Sequence, residues 1–283
     1  MIDVDSIPNP NDEELRVLDR QIGFVPVAND SPGHLSAEQM AHYNDQGYLM
    51  PFEGLEEGEV SELRNFFEGV LAEAQASGKG SYSINTAHLR FGRVYDLMSH
   101  PRILGPVSDL LGPDVVAWGA HFFCKLPGDG KRVAWHQDAT YWPITPTRTV
   151  TAWLAIDDAN PENANMRFLP RSHLHGPLDY LVSEDRREVL NLVVPDAESY
   201  GDSPVDVSLR AGWFSLHSDL LLHGSEANES DRRRCGLTMR YAAAEVRAFH
   251  GEVERMLSVE GYFRTSMCVY PMVVMLRLFK SFA

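Results

Sequence analysis

Residues 113–130 read PDVVAWGAHFFCKLPGDG, and this stretch indicates where a β-sheet domain begins. Its two apolar runs, at 115–118 and 121–124, are short and rich in β-branched and aromatic residues, and a Pro-Gly-Asp-Gly turn at 127–130 follows them. Many short strands at close spacing are typical of a sandwich or jelly roll, so the sequence predicts a mainly β fold. Further runs of this kind, separated by clusters of Pro, Gly, Asn and Asp, lie at 149–156, 165–169, 190–194, 205–209, 213–216 and 236–242.

Helices are predicted ahead of these strands. Ser36, with Gln39 three positions later, forms a capping-box pattern, and Gly47 ends the helix that it begins. Apolar residues recur at helical spacing over 56–77, which predicts an amphipathic helix packed on a larger body. A shorter helix is predicted at 101–112, where a proline stands at the start and a glycine at the end.

The chain of 283 residues is predicted to form one domain, because β-rich domains often reach 200–250 residues. Four prolines between residues 8 and 32 interrupt any regular period, which predicts a loosely ordered start of the chain. The predicted organisation is an N-terminal arm at 1–35, a mainly helical flank at 36–112, a jelly-roll core at 113–245 and a C-terminal segment at 246–283.

The composition excludes several classes of protein and partner. With 44% hydrophobic and 23% charged residues, the chain is neither collagen-like nor strongly disordered. Its 25 Lys and Arg against 40 Asp and Glu give a net charge of −15, which repels phosphate backbones and anionic membrane surfaces. The sequence therefore predicts no nucleic-acid partner and no membrane partner. The acidic first residues carry no signal-peptide pattern, so a cytoplasmic location is expected.

Two further features bear on structure more than on chemistry. Cys124, Cys235 and Cys268 are widely spaced and form no CxxC pair, so buried reduced thiols are expected. The hydrophobic stretch at 267–279 is too short to span a bilayer, which takes about 20 apolar residues. It is predicted to be buried or to contact another subunit, with a membrane anchor as the minor alternative. The sequence carries no signal of oligomeric state.

Two His-x-Asp tripeptides stand out among the eleven histidines: His136-Gln137-Asp138 and His217-Ser218-Asp219. In an extended strand, residues i and i+2 project from the same face, so either tripeptide can offer an imidazole and a carboxylate to one metal ion. A mononuclear iron site of the facial type needs two imidazoles and one carboxylate, with the remaining positions open. A third ligand must therefore come from elsewhere in the chain.

The distance along the chain favours the first tripeptide. Its candidate third ligand is His223, at 223 − 136 = 87 residues, which is enough chain for several strands to cross a barrel and return. The second tripeptide has His250 as its nearest downstream candidate, only 250 − 217 = 33 residues on and past a basic, turning segment. We therefore favour the first set and keep the second as the alternative.

Several motifs follow one another along the chain: His136-Gln137-Asp138, Pro161-Glu162-Asn163, Leu169-Pro170-Arg171-Ser172-His173 and His223-Gly224-Ser225, then Asn228 and an arginine run at 232–234. With these motifs, the chain resembles the phytanoyl-CoA dioxygenase family, a branch of the iron(II)- and 2-oxoglutarate-dependent oxygenases, over about residues 36–243. The resemblance implies a double-stranded β-helix (a cupin-like jelly roll) with flanking α-helices. It also implies that His136, Asp138 and His223 ligate Fe(II), with 2-oxoglutarate and O2 as cosubstrates.

The resemblance also implies a site for 2-oxoglutarate, whose distal carboxylate suits a bidentate guanidinium partner. Strand alternation points Arg232 and Arg234 to one face and Arg233 to the other. Counted from the His-Gly-Ser and Asn elements, the family's arginine falls best on Arg234, with Arg232 in reserve. Ser225 is a predicted hydroxyl partner for the same carboxylate. Trp153 matches a family tryptophan that lines the cosubstrate pocket.

This chain departs from the family pattern at two loop positions. Relatives usually carry Gly where this chain has Ala164 and Arg171, and Gly tolerates positive φ far better than either. These changes bear on loop shape and not on the metal ligands. Relatives that halogenate replace the metal carboxylate with a small residue, so retention of Asp138 disfavours halogenation.

The predicted activity is hydroxylation of an unactivated C–H bond of a small molecule, with release of succinate and CO2. A secondary metabolite or an amino-acid-like compound is the preferred substrate, and an acyl-CoA, desaturation or cyclisation are alternatives within the same class. A non-catalytic jelly roll that binds a metal or a ligand is the alternative from a different class. The candidate substrate contacts are Asn85, His88, His121, Tyr141 and Trp142.

Overall fold

The computed structural model describes residues 12–249, 256–258 and 276–278. Its helices are α1 (Asp12–Val17), α2 (Ala37–Gln46), α3 (Glu57–Ala76), α4 (Ala87–Arg90), α5 (Gly92–Met98) and α6 (Pro101–Leu111). Its strands are β1 (Tyr48–Glu53), β2 (Val115–Lys125), β3 (Val133–His136), β4 (Ile144–Thr145), β5 (Thr149–Ala155), β6 (Arg167–Phe168), β7 (Leu181–Val182), β8 (Leu192–Val193), β9 (Val205–Asp206), β10 (Trp213–Ser218), β11 (His223–Ser225), β12 (Arg234–Ala243), β13 (Arg247–Phe249), β14 (Met256–Ser258) and β15 (Leu276–Leu278).

Two antiparallel sheets form the body of the fold. The larger has the strand order β1-β10-β5-β12-β2-β15, and the smaller has the order β3-β11-β6-β9. Neighbouring strands in each sheet are far apart in sequence, as in the crossing connections of a jelly roll. The predicted mainly β, jelly-roll fold with flanking helices is confirmed.

The helical flank packs against the outer face of the larger sheet. Phe67 of α3 is fully buried, and its ring lies 4.9 Å from that of Phe122 on β2. The predicted capping box is present at the start of α2, where Ser36 and Gln39 each accept a hydrogen bond from the other's backbone N–H. Gly47 ends α2 with φ of 86°, a left-handed conformation that favours glycine. The helices predicted at 56–77 and 101–112 correspond to α3 and α6.

One local expectation differs from the structure. The runs at 115–118 and 121–124 form one strand, β2, because both pair with β12, with a register shift between Arg240 and Tyr241. The described part of the N-terminal arm contacts the β-sheet core. One guanidinium nitrogen of Arg20 donates to the carbonyls of Ala139 and Trp142, at 2.9 and 2.8 Å, and this ties the arm to the loop after β3.

The described residues include only some of those for which the sequence made further predictions. His250, Cys268 and most of the hydrophobic stretch 267–279 lie outside the described residues. Cys124 and Cys235 are buried free thiols that face each other across β2 and β12. Within the described ranges, no helix combines the length and the apolar character that a membrane crossing requires.

The two loops that depart from the family pattern keep a left-handed backbone. Ala164 has φ of 60° and Arg171 has φ of 69°. An L-residue in this region is strained by about 1–2 kcal/mol relative to glycine, because Cβ approaches the following carbonyl. The Ala164 carbonyl nevertheless accepts a hydrogen bond from Arg234, so this strained turn helps to position a cavity residue.

We expect Ala164→Gly to raise the free energy of unfolding by about 0.5–1 kcal/mol, since relief of strain exceeds the added chain entropy of glycine. Urea denaturation followed by circular dichroism measures this change. Ala72, exposed in the middle of α3, supplies the matched control, and Ala72→Gly should lower stability by about 1 kcal/mol. Equal losses of stability in both variants would contradict the inference that the turn at Ala164 is strained.

Candidate active site

The two histidines of the candidate metal centre are brought together by strand pairing. His136 ends β3 and His223 begins β11, and the two residues are direct partners in the antiparallel register of the smaller sheet. Asp138 follows two residues later. Its Oδ1 lies 3.7 Å from Nε2 of His136 and 3.9 Å from Nε2 of His223. One ligand atom from each of the three residues lies within 4.8 Å of the others.

Asp138 does not lie on β3, although the sequence analysis placed it on the same strand face as His136. The chain leaves β3 after His136 and enters a 3-10 turn that begins at Asp138. Gln137 fixes this turn, because its amide donates to the carbonyls of Gly176 and Leu220 at 2.9 and 2.7 Å. The predicted pair therefore shares one site through a turn and not through strand periodicity.

Backbone hydrogen bonds set the orientation of both imidazoles. Nδ1 of His136 lies 2.8 Å from the Ala134 carbonyl, and Nδ1 of His223 lies 3.0 Å from the Leu221 carbonyl. Each Nδ1–H is therefore the donor, and each Nε2 presents its lone pair toward Asp138. Two neutral imidazole nitrogens and one carboxylate are a donor set that suits iron(II).

The charge of Asp138 is maintained in this buried setting. Burial alone would raise its pKa, but the neighbouring side chains of His136, His223 and Arg240 hold the pKa well below its usual range. Thr151 on β5 also donates to Asp138 Oδ2, at 3.3 Å. The carboxylate is thus ionised and held in place, as a metal ligand must be.

The second His-x-Asp tripeptide is divided by the fold. His217 is buried, and its Nε2 lies 4.0 Å from Asp138 Oδ2 beside the first set. Asp219 is buried as well, and burial raises its pKa to about 7. Its backbone carbonyl accepts the Ala139 N–H at 2.9 Å, which helps to close the turn after Asp138. Of this tripeptide, only His217 lines the cavity of the first set.

The metal-ligand candidates open onto a cavity between the two sheets. It contains about 450 Å³ of space, counted to its open mouth. The walls come mainly from the inner faces of β5, β12 and the smaller sheet. They are formed by Phe123, Val133, His136, Asp138, Thr151, Trp153, Met166, His217, His223, Gly224, Ser225, Arg234, Thr238 and Arg240.

Arg234 is the buried cation at one end of this cavity. Its Nε donates to the Ala164 carbonyl at 3.0 Å, and its Nη2 donates to Ser225 Oγ at 3.2 Å. The guanidinium carbon lies 5.7 Å from the centre of the Trp153 ring. Gly236 makes this packing possible, since a Cβ there would stand 2.1 Å from the Trp153 ring.

The other arginines of the run point away from the cavity. Arg232 is in the exposed turn before β12 and pairs with Glu162 at 2.6 Å. Arg233 lies on the outer face and pairs with Asp157 at 2.7 Å. Alternation did not separate Arg232 from Arg234 in the sequence, because it applies only within the strand, which begins at Arg234.

A buried lysine stands beside Arg234. Lys125 pairs with Arg234 in the register of β2 and β12, and its amine donates to the carbonyls of Ser225 and Glu226. Burial lowers the pKa of Lys125 to about 6. Burial therefore weakens the positive charge of Lys125 at this end of the cavity.

The five candidate substrate contacts lie around the cavity and not among the residues that line it. Asn85 is exposed, whereas His88 is buried. Nε2 of His121 lies 2.8 Å from the Tyr82 carbonyl. The Tyr141 hydroxyl donates to the Leu192 carbonyl at 3.2 Å, and Trp142 is buried. Contact of these residues with substrate remains a prediction.

Sequence reasoning missed three polar wall residues: Thr151, Thr238 and Arg240. Strand alternation could have found them. Thr151 lies two residues before Trp153 on β5, and Thr238 and Arg240 follow Arg234 by even steps on β12. The predicted runs at 149–156 and 236–242 already contain all three residues.

A jelly roll that presents two histidines and one aspartate to an open cavity has the site of the 2-His-1-carboxylate class of oxygenases. The chain belongs to the phytanoyl-CoA dioxygenase family, whose model matches residues 43–236, more than half of its length. The chain is an enzyme of the iron- and 2-oxoglutarate-dependent oxygenase class, as the resemblance of its motifs implied.

Individual proteins with related sequences or structures support this family membership. Peroxisomal phytanoyl-CoA dioxygenase of Bos taurus is 26% identical over 235 residues, which cover 74% of this chain and 69% of that protein. The apo structure of the non-heme monooxygenase ThoJ has a TM-score of 0.64 at 26% identity and covers 84% of this chain and 87% of its own. The structure of the non-heme alpha-ketoglutarate-dependent carbocyclase SnoK from nogalamycin biosynthesis has a TM-score of 0.62 at 27% identity. The match covers 77% of this chain and 89% of the SnoK chain.

The geometry predicts how single substitutions change metal binding. His136→Ala, Asp138→Ala and His223→Ala should each weaken Mn(II) binding by at least about 100-fold, because loss of a supporting residue alone costs about 10- to 100-fold. His217→Ala removes a neighbour and should stay within about tenfold of the wild type. Isothermal titration calorimetry under anaerobic conditions measures the affinities. Tight binding by His223→Ala together with loss in His217→Ala would instead support the second set.

Proposed function

We propose that this protein hydroxylates an unactivated C–H bond of a small molecule, with Fe(II) held by His136, Asp138 and His223. The observation that carries the proposal is that this set and the buried Arg234 line one cavity. A binding module has no need for three metal ligands together with a guanidinium aimed into the same space. This favours the enzyme over a non-catalytic jelly roll.

When bound, iron(II) supplies the reaction of O2 with 2-oxoglutarate and with the substrate C–H bond. In the overall balance, one oxygen atom enters succinate as CO2 leaves, and the other becomes the product hydroxyl. Nε2 of His136, Nε2 of His223 and Oδ1 of Asp138 are the atoms that would hold the metal, and these side chains line the cavity.

Arg234 is the residue that would hold the distal carboxylate of 2-oxoglutarate. Ser225 keeps the guanidinium in place and offers its own hydroxyl, and the Trp153 ring forms a flat apolar wall beside it. Because the group is buried, a charge-assisted hydrogen bond there is stronger than at the surface. Arg232, which is exposed and already paired with Glu162, has no such role.

Hydroxylation is the proposed outcome among several that one such site can support. Asp138 occupies the ligand position that a halide would need, which disfavours halogenation. The apolar side chains of Phe123, Val133 and Met166 line part of the cavity and would exclude water from the reacting C–H bond. A secondary metabolite or amino-acid-like substrate and a cytoplasmic location remain predictions from the sequence.

We expect Arg234→Gln to weaken 2-oxoglutarate binding roughly 10- to 100-fold, since it removes charge-assisted hydrogen bonds to a carboxylate. Calorimetric titration of the Mn(II)-loaded protein without oxygen measures this affinity. Arg232→Gln is the matched control and should bind 2-oxoglutarate like the wild type. An unchanged affinity in Arg234→Gln, or equal losses in both variants, would contradict the assigned cosubstrate site.

A further inference from the structure

Arg240 is a second cavity arginine that the proposed cosubstrate site does not use. It lies on the inner face of β12, six residues after Arg234, where it is a register partner of Thr151 on β5 and Gly119 on β2. At about 3.3 Å per residue, the two arginine Cα atoms are about 20 Å apart along the strand. The two cations therefore enter the cavity from opposite ends of one strand.

Arg240 lacks the protein acceptors that satisfy Arg234. Its Nε is fully buried without a hydrogen-bond partner. Among the described residues, no carboxylate lies within 4.0 Å of its guanidinium and no carbonyl accepts from it. The Trp142 ring lies beside it, with its centre 5.3 Å from the guanidinium carbon. The side chain as a whole is half-buried and lines the cavity, so a ligand with a hydrogen-bond acceptor can reach it.

The cavity carries more positive than negative charge once its proposed ligands are counted. Among the described residues, Asp138 is the one acidic residue of the cavity wall, and its charge also attracts Arg240. With neutral histidines, Fe(II), the 2-oxoglutarate dianion, Asp138 and Arg234 together carry no net charge. The positive charge of Arg240 then remains uncompensated. One further negative charge in the cavity would balance it.

We propose that Arg240 binds a carboxylate of the substrate and so selects small organic acids, an inference that rests on the proposed function. The Trp142 ring covers one face of the guanidinium and leaves its N–H edge for a planar anion. Asp138 does not meet this need, because its Oδ2 is already engaged by Thr151 and its Oδ1 faces the histidines. The bound acid would place its C–H bonds toward the metal ligands.

The carboxylate could also come from the keto-acid end of 2-oxoglutarate. The two sources make opposite predictions for Arg240→Gln. If the substrate supplies the carboxylate, the affinity for 2-oxoglutarate stays at the wild-type value. If 2-oxoglutarate supplies it, Arg240→Gln weakens 2-oxoglutarate binding as Arg234→Gln does, and the proposal is overturned.

The test uses the Mn(II)- and 2-oxoglutarate-loaded protein without oxygen. The probes are 3-phenylpropanoate, cyclohexanecarboxylate and octanoate, each paired with its primary amide, and binding is followed by calorimetry and by the tryptophan fluorescence that Trp142 contributes. We expect at least one acid to bind roughly 10- to 100-fold more tightly than its amide. In Arg240→Gln this preference should fall to about twofold or less. Arg247→Gln, at an exposed arginine on β13, should retain it.

The outcomes separate the inference from the function on which it rests. If the wild type binds Mn(II) and 2-oxoglutarate but binds no acid more tightly than its amide, the proposed role of Arg240 is wrong and the proposed function still stands. An acid preference that survives in Arg240→Gln does the same. Failure of the wild type to bind 2-oxoglutarate at all overturns both. A thermal unfolding curve for Arg240→Gln shows that a lost preference does not come from a lost fold.

Discussion

The active site depends on one antiparallel pair, that of β3 with β11. Because His136 and His223 are direct partners in this register, their imidazoles meet on one face although 87 residues separate them in the chain. A shift of one residue would turn one imidazole to the other face of the sheet. The carbonyls of Ala134 and Leu221 then fix each ring, so the register sets both the position and the orientation of the two nitrogen ligands.

The second constraint is the inner face of β12, which carries the two cavity cations. Arg234 is satisfied by a backbone carbonyl and a serine hydroxyl, whereas the ring of Trp142 lies beside Arg240. The two candidate histidine ligands lie on the facing sheet. Although the protein has a net charge of −15, the described cavity wall carries two arginines and one carboxylate, that of Asp138.

Much of this arrangement could be predicted from the sequence. Short β-rich runs between turn residues predicted the jelly roll, and chain spacing with the family motifs selected the three metal-ligand candidates that the fold brings together. The turn at Asp138 could not be predicted, since it depends on hydrogen bonds from Gln137 to carbonyls 39 and 83 residues away. The choice between Arg232 and Arg234 depended on where β12 begins. Ala164 and Arg171 show that the loop shapes persist without glycine.

The central claim is that these residues make a working oxygenase, and conversion of 2-oxoglutarate to succinate measures it most directly. The Fe(II)-loaded wild type, exposed to O2, should form succinate and CO2 in equal amounts, and His223→Ala should reduce this to the protein-free background. Succinate can be quantified by proton NMR and CO2 from carboxyl-labelled 2-oxoglutarate. A wild type that binds iron and 2-oxoglutarate but forms no more succinate than His223→Ala would contradict the account.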